Sequence, residues 1–243
     1  MSFFHTLSMQ TRESWQARSL SPRPPILSVT CLFIALIVPY LVASIVFHPT
    51  GPDISSDFSD ERGTVTILSA VLLSSGAAWA YAAYLLAPWR EKRYRLFWFF
   101  LAVAITFLAI DELFGFHEGL GDKLYDHTAL SVLVDHTPLR NLNDAIVILY
   151  GVVALPVAIL LLPGLVRVPR VLGLIVVAFS FYAIHTVIDS ISEPPTDLSM
   201  IMEETAKVMC SCFIALAMLT GMRGVVALKQ CETAGDTEHQ APQ

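Results

Sequence analysis

The residues in this chain whose types and spacing fit chemistry are acids and histidines set against strongly apolar surroundings. The segment AVAITFLAIDELFGFHE, residues 102–118, ends in Asp111-Glu112 and His117-Glu118. Ionisable groups at the end of a stretch long enough to cross a membrane are expensive and mark functional sites. Further on, His185 and Asp189 are four residues apart, the spacing of one helix face. Glu203, Glu204 and Lys207 open the last apolar segment. Histidines among carboxylates serve either acid–base catalysis or metal ligation. As metal ligands the sequence offers Asp111, His117, Glu118, His185, Asp189 and Glu204, with Asp111 and Glu204 as the catalytic pair. Mixed His/carboxylate ligation suits zinc, iron or manganese better than copper. A zinc or iron ion with an open position would activate water, or oxygen in the case of iron, against a lipid-like substrate.

These groups need elements to hold them. The chain has 243 residues, of which 55% are hydrophobic and 15% charged. That balance, with a mean hydropathy of +0.62, indicates a polytopic membrane protein, so the expected fold is an all-α bundle. Windows of about 20 apolar residues match one bilayer crossing. Six occur, at 25–47, 64–88, 96–115, 144–163, 171–190 and 200–222. Residues 1–24 read as a cytoplasmic leader without signal-peptide features, 25–228 as the transmembrane domain, and 229–243 as a polar, unstructured tail. The four cysteines show no zinc-ribbon or thioredoxin spacing, and the −6 formal charge is no nucleic-acid footprint.

Lysine and arginine set the orientation. Eleven of the 15 fall in the leader, the second and fourth connections and the tail, three on the other side, and Lys207 lies inside a span. Both termini are therefore expected in the cytoplasm. For a bacterial inner-membrane protein, the acidic connections would face the periplasm. With this topology the outer ends of spans three to six carry Asp111, Glu112, Glu118, Asp144, Asp189, Glu203 and Glu204, with Lys207 the sole lysine or arginine among them. Seven carboxylates at that depth require raised pKa values, contact with water or a bound cation.

Simpler roles compete at several positions. Asn141, Asn143 and Asp144 fit helix capping. Glu203 and Glu204 fit the positive end of a helix dipole, and Lys207 is spaced to pair with Glu203 as a counter-ion. Gly115 is a candidate helix stop. If the helix continued instead, Asp111 and Glu118 would share a face. His48, His127 and His136 read as ordinary end or loop residues. Ser74 to Ala78 is a run of small residues suited to close helix packing, and Trp89 and Trp98 read as interfacial anchors. There is no phosphate loop, Gly-x-Ser-x-Gly elbow, His-Glu-x-x-His or Glu-x-x-His pair.

The string Leu108-Ala109-Ile110-Asp111-Glu112 followed by His117-Glu118 resembles a signature of uncharacterised bacterial multi-span membrane proteins. A looser architectural similarity is to the ceramidase-like membrane hydrolases, which gather histidines and an aspartate around zinc between helices. The chain departs from them in having His185-x-x-x-Asp189 in place of His-x-x-x-His. Three functions follow as expectations. The first is a metal-dependent enzyme acting on a lipid-like substrate. The second is a proton-coupled or ion transporter using buried carboxylates, although the inner halves of spans four and five lack polar groups. The third is an accessory subunit docked to other membrane subunits. The lipid bilayer is the one partner all three share.

Overall fold

The computed structural model describes residues 26–49, 51–58, 63–89, 91–127, 142–166, 168–191 and 196–238. The expected leader, the 128–141 connection with Asn141 and His136, and the last residues of the chain lie outside them. Every regular element among the described residues is a helix. They are α1 (Ile26–Phe47), α2 (Ser55–Phe58), α3 (Thr64–Leu86), α4 (Lys92–Phe114), α5 (Phe116–His127), α6 (Leu142–Val166), α7 (Pro169–Ile191) and α8 (Asp197–Glu238).

Five of these, α1, α3, α4, α7 and α8, are long and apolar enough to cross a membrane. In α6 the described apolar stretch is the shorter Ala145–Val157, and the helix runs unbroken through Pro156. Apolar sequence on all sides of a helix suits a lipid environment, where the backbone must satisfy its own hydrogen bonds. The helix ends are written locally. Ala87 precedes Pro88, which disfavours a further helical residue, and α3 stops there. Gly115 adopts the left-handed conformation (φ 55°, ψ 39°), and its N–H donates to the Asp111 carbonyl at 2.8 Å. That is a glycine C-cap, so α4 ends and α5 begins afresh at Phe116. His127 is consequently the last residue of a helix rather than part of a loop. α8 also continues past Leu228 to Glu238, where an unstructured tail was expected. The sequence ALKQCETAGDTE is polar, yet most of it is good helix former.

α8 is the axis of the bundle. It packs along α3 on one side and α7 on the other, while α4 lies against α3 and reaches α8 through the side chains of Trp98 and Glu112. Specific contacts give the directions. Ser69 Oγ meets Ser211 Oγ at 2.8 Å, and Gly76 lies against Ala215, so α3 and α8 run parallel. Trp98 meets Gly221, and Glu112 meets Lys207, so α4 runs opposite to α8. Phe181 stacks on Phe213 at 5.7 Å, and Val168 meets Gly224, so α7 does likewise. Tyr40 donates to the Thr64 carbonyl at 3.0 Å and Phe33 meets Trp79, which sets α1 against α3.

These directions gather the ends of α1, α4 and α7 with the starts of α3 and α8. One end of the bundle carries Asp57, Asp111, Glu112, Asp189, Glu203 and Glu204, and the other carries Lys92, Arg93, Arg95, Arg170 and Arg223. The start of α1 and the far end of α8 share the basic end. The small-residue expectation for α3 also finds its use. Gly76, Ala77, Ala80 and Ala83 form a thin face on which α8 and α4 approach closely.

Trp98 differs from expectation. It is 1% exposed, wedged between α4 and Gly221 of α8. α4 begins at Lys92, so Trp98 is already more than a turn inside the helix, and a glycine opposite provides the slot. Trp89, 76% exposed at the basic end, is placed as an interfacial anchor would be. Outward faces of α1, α4 and α7 carry exposed Leu36, Phe100, Val103 and Val176, the surface a lipid-facing helix presents.

Candidate functional site

The acidic end is built by two breaks and one crossing. At the first break, Gly115 turns the chain and Asp111 spans the gap. Its Oδ1 accepts the His117 backbone N–H at 3.0 Å, and its Oδ2 lies 3.0 Å from His117 Nδ1. Asp111 thus caps α5 and orients the His117 ring in one geometry. It is 6% exposed. Because the helix breaks here, Asp111 and Glu118 do not share a continuous helix face. Glu118 is largely exposed and reaches the other ring nitrogen only at 3.9 Å.

At the crossing of α4 and α8, Lys207 Nζ lies 2.7 Å from Glu204 Oε1 and 3.3 Å from Glu112 Oε1. The sequence spacing pointed Lys207 at Glu203; the structure pairs it with Glu204, one helical turn away, and with Glu112 from another helix. Glu203 turns instead toward α7, where its Oε1 is 3.9 Å from His185 Nδ1. At the second break, α7 ends at Ile191 and α8 begins at Asp197, so Asp189 and Glu204 lie at the same end of the bundle. Neighbouring positions on α4, Asp111 and Glu112, link the two halves of the site, one facing His117 and the other Lys207.

Several polar atoms in this layer are buried without a hydrogen bond among the described residues. They include His185 Nδ1, Thr186 Oγ1, Glu204 Oε2 and Glu112 Oε1, the last held by the Lys207 charge alone. Buried groups left in this state are costly and are found where a protein keeps capacity for a ligand, water or proton.

His117 lies beyond the end of α4, in the first turn of α5. Burial disfavours its charged form, but the hydrogen bond and negative charge of Asp111, helped by Glu118 and opposed by Lys207, prevail and raise its pKa above the usual 6.5. A folded-state value above the unfolded one means the contribution to stability is complete below about pH 6.5 and disappears as pH climbs through the raised value. Thermal midpoints measured from about pH 5 to 9 should therefore fall on the alkaline side of that window. Asp111→Asn should flatten this dependence, and Asp111→Ala should in addition remove the α5 cap, worth about 0.5–2 kcal/mol. An unchanged pH profile in Asp111→Asn would show that the pair does not titrate as described.

Of the expected residues, the structure brings together Asp111 with His117, while Glu204 is paired with Lys207. His185 joins through Glu203, while Glu118 stands at the rim. Asn143 and Asp144 begin α6, and their side chains lie outside the described set. Sequence reading counted Glu112 among the seven acids but gave it no role in the site. Its signal was the single lysine among seven acids, which had to sit between two of them. Among the described residues, no three His, Cys, Asp or Glu side chains converge closely enough to hold a metal ion. The amine of Lys207 occupies the position between Glu112 and Glu204 that a cation would take.

A family profile described as a domain of unknown function, DUF8692, matches residues 22–220, from just before α1 to partway through α8. The chain belongs to the DUF8692 family. No curated protein and no solved structure matches this DUF8692 chain, and the resemblance to ceramidase-like hydrolases finds no support among the comparisons. The family description assigns no activity, so the function of the DUF8692 bundle has to be argued from its acidic end.

Proposed function

We propose that this DUF8692 protein spans the membrane six times with both termini in the cytoplasm, and that its outward acidic end is an acid–base site acting on a lipid-like substrate. The observation that carries the reading is the Asp111–His117 dyad, set beside a lysine buried between two glutamates. A carboxylate on Nδ1 fixes the ring so that Nε2 takes a proton from water or a substrate hydroxyl, the arrangement of an oriented general base. A pKa raised above 6.5 by the neighbouring carboxylate makes the ring a stronger base. The Lys207 ammonium, kept in place by Glu112 and Glu204, would stabilise negative charge developing on the substrate. Substrate would arrive along the bilayer, since the outward faces of α4 and α7 are apolar.

Two other readings receive less support. A metal-dependent version with zinc or iron needs three ligands to converge, and Lys207 already neutralises the glutamates. Proton coupling is favoured by the excess of carboxylates over cations. It is disfavoured by the middle of the bundle, where the buried side-chain pair between helices among the described residues is one of two neutral hydroxyls, Ser69 and Ser211.

The deciding experiment places the purified protein in nanodiscs containing a total bacterial lipid extract and follows lipid products by mass spectrometry. Wild-type protein should change the lipid profile, and His117→Gln and Asp111→Asn should slow this by about a hundredfold or more. A chelator should leave the rate intact. Loss of activity with the chelator would favour the metal version, and identical profiles for wild type and both variants would overturn the enzyme reading.

A further inference from the structure

The basic end of the bundle holds a second arrangement that the acid–base site does not use. Arg95, in the first turn of α4, has its guanidinium carbon 3.6 Å from the Trp89 ring centroid and 4.8 Å from that of Tyr84. Tyr84 in turn meets Phe99, one turn further along α4, at 5.5 Å. The result is a column of Trp89, Arg95, Tyr84 and Phe99 leading from the helix end onto the apolar flank. Arg95 Nε is buried with no hydrogen-bond partner, and among the described residues no carboxylate pairs with Arg95. Lys92 and Arg93 are exposed in the same turn and are likewise unpaired among the described residues. Glu91, the adjoining acid, has a partner of its own.

Three cations with no counter-ion among the described residues, one of them immobilised, make a receptor for an anion. We propose that this corner binds the phosphodiester headgroup of an anionic phospholipid in the adjoining leaflet. The membrane is the source of the anion because of what lies beside the charges. Trp89 is exposed at the level where the apolar helices end, and Leu96, Phe99 and Phe100 are exposed on the flank just inside it. A phosphate held by Arg95, Lys92 and Arg93 would therefore lay its acyl chains along an apolar surface. Arginine at a membrane interface is ordinarily free to snorkel. Here cation–π contact on two rings fixes the guanidinium in advance, so little freedom is lost when it takes up a phosphate. Arginine is also the side chain whose fork matches phosphate oxygens.

The test uses the full chain in a neutral detergent, titrated separately with phosphatidylglycerol, phosphatidylcholine and inorganic phosphate. Bound lipid is counted by native mass spectrometry, alongside the thermal midpoint. Phosphatidylglycerol should bind and raise the midpoint, while phosphatidylcholine and phosphate alone should not. Arg95→Ala should weaken phosphatidylglycerol binding roughly fivefold or more, the effect of one basic residue at an anionic surface, and Arg95→Lys should recover only part of it. Should Arg95→Ala fold poorly, Lys92→Ala/Arg93→Ala removes two exposed charges instead and should weaken binding at least as much. Equal binding of the two lipids, an equal shift with inorganic phosphate, or wild-type binding by the variant that folds would each overturn the assignment.

Discussion

Lys207→Met should be among the most damaging single substitutions in the chain, lowering stability by about 3–5 kcal/mol. Among the described residues the lysine is the only cation between Glu112 and Glu204, at 3.3 and 2.7 Å, and both carboxylates are mostly buried. Removing it leaves two acids in a site that water reaches poorly, each with an oxygen already lacking a hydrogen bond. A protein with ordinary marginal stability would lose a large part of it. The same reasoning predicts rescue. Glu112→Gln/Glu204→Gln/Lys207→Met carries no charge at the crossing, and replacing a whole buried ion cluster by neutral groups is often close to neutral. Thermal unfolding in detergent checks both. A single Lys207→Met as stable as wild type would mean the glutamates are not relying on it.

Gly221→Ala should be destabilising by about 1–3 kcal/mol, and Gly221→Leu should prevent assembly of α4 on α8. A Cβ at position 221 would overlap the Trp98 ring, coming within 2.8 Å of Cζ3 and closer still to Cη2. Trp98 is 1% exposed, so the ring has nowhere to go. Trp98→Leu should lose stability alone but lose less in the Gly221→Ala background, because the two changes share one space. Gly173→Ala is the control. Nothing lies within 4 Å of the added carbon, and the change should be neutral or gain up to about 1 kcal/mol from helix propensity. Equal effects at 221 and 173 would show that the slot is not tight.

The extent of the helices was legible because the signal behind it is long. Five apolar windows and the sixth, weaker segment fall on helices whose ends lie within a few residues of those expected, as with 64–88 against Thr64–Leu86, except that α8 runs on past 222 to Glu238. The clustering of acids at one end was legible too, since alternating helix direction fixes which ends meet. Pairing within that cluster was not. Lys207 is four residues from Glu203 and three from Glu204, and sequence spacing alone does not choose between them. The choice came from the rotation of α8 that faces Lys207 toward Glu112 on α4. Trp98 was misplaced for a similar reason. A tryptophan near a basic loop reads as an interfacial anchor until a glycine more than a hundred residues later supplies a slot for it. Gly115 shows the opposite case, where a single residue type announced the helix break and the Asp111 cap followed from it.

The account rests on the acidic end being a working acid–base site rather than a structural knot. The most direct test is the rate of lipid-product formation in nanodiscs by Glu112→Gln/Glu204→Gln/Lys207→Met, compared with wild type at matched fold. Retained helicity and thermal midpoint with product formation lowered by two orders of magnitude or more is the predicted result. A folded triple variant that turns over lipid at the wild-type rate would contradict it.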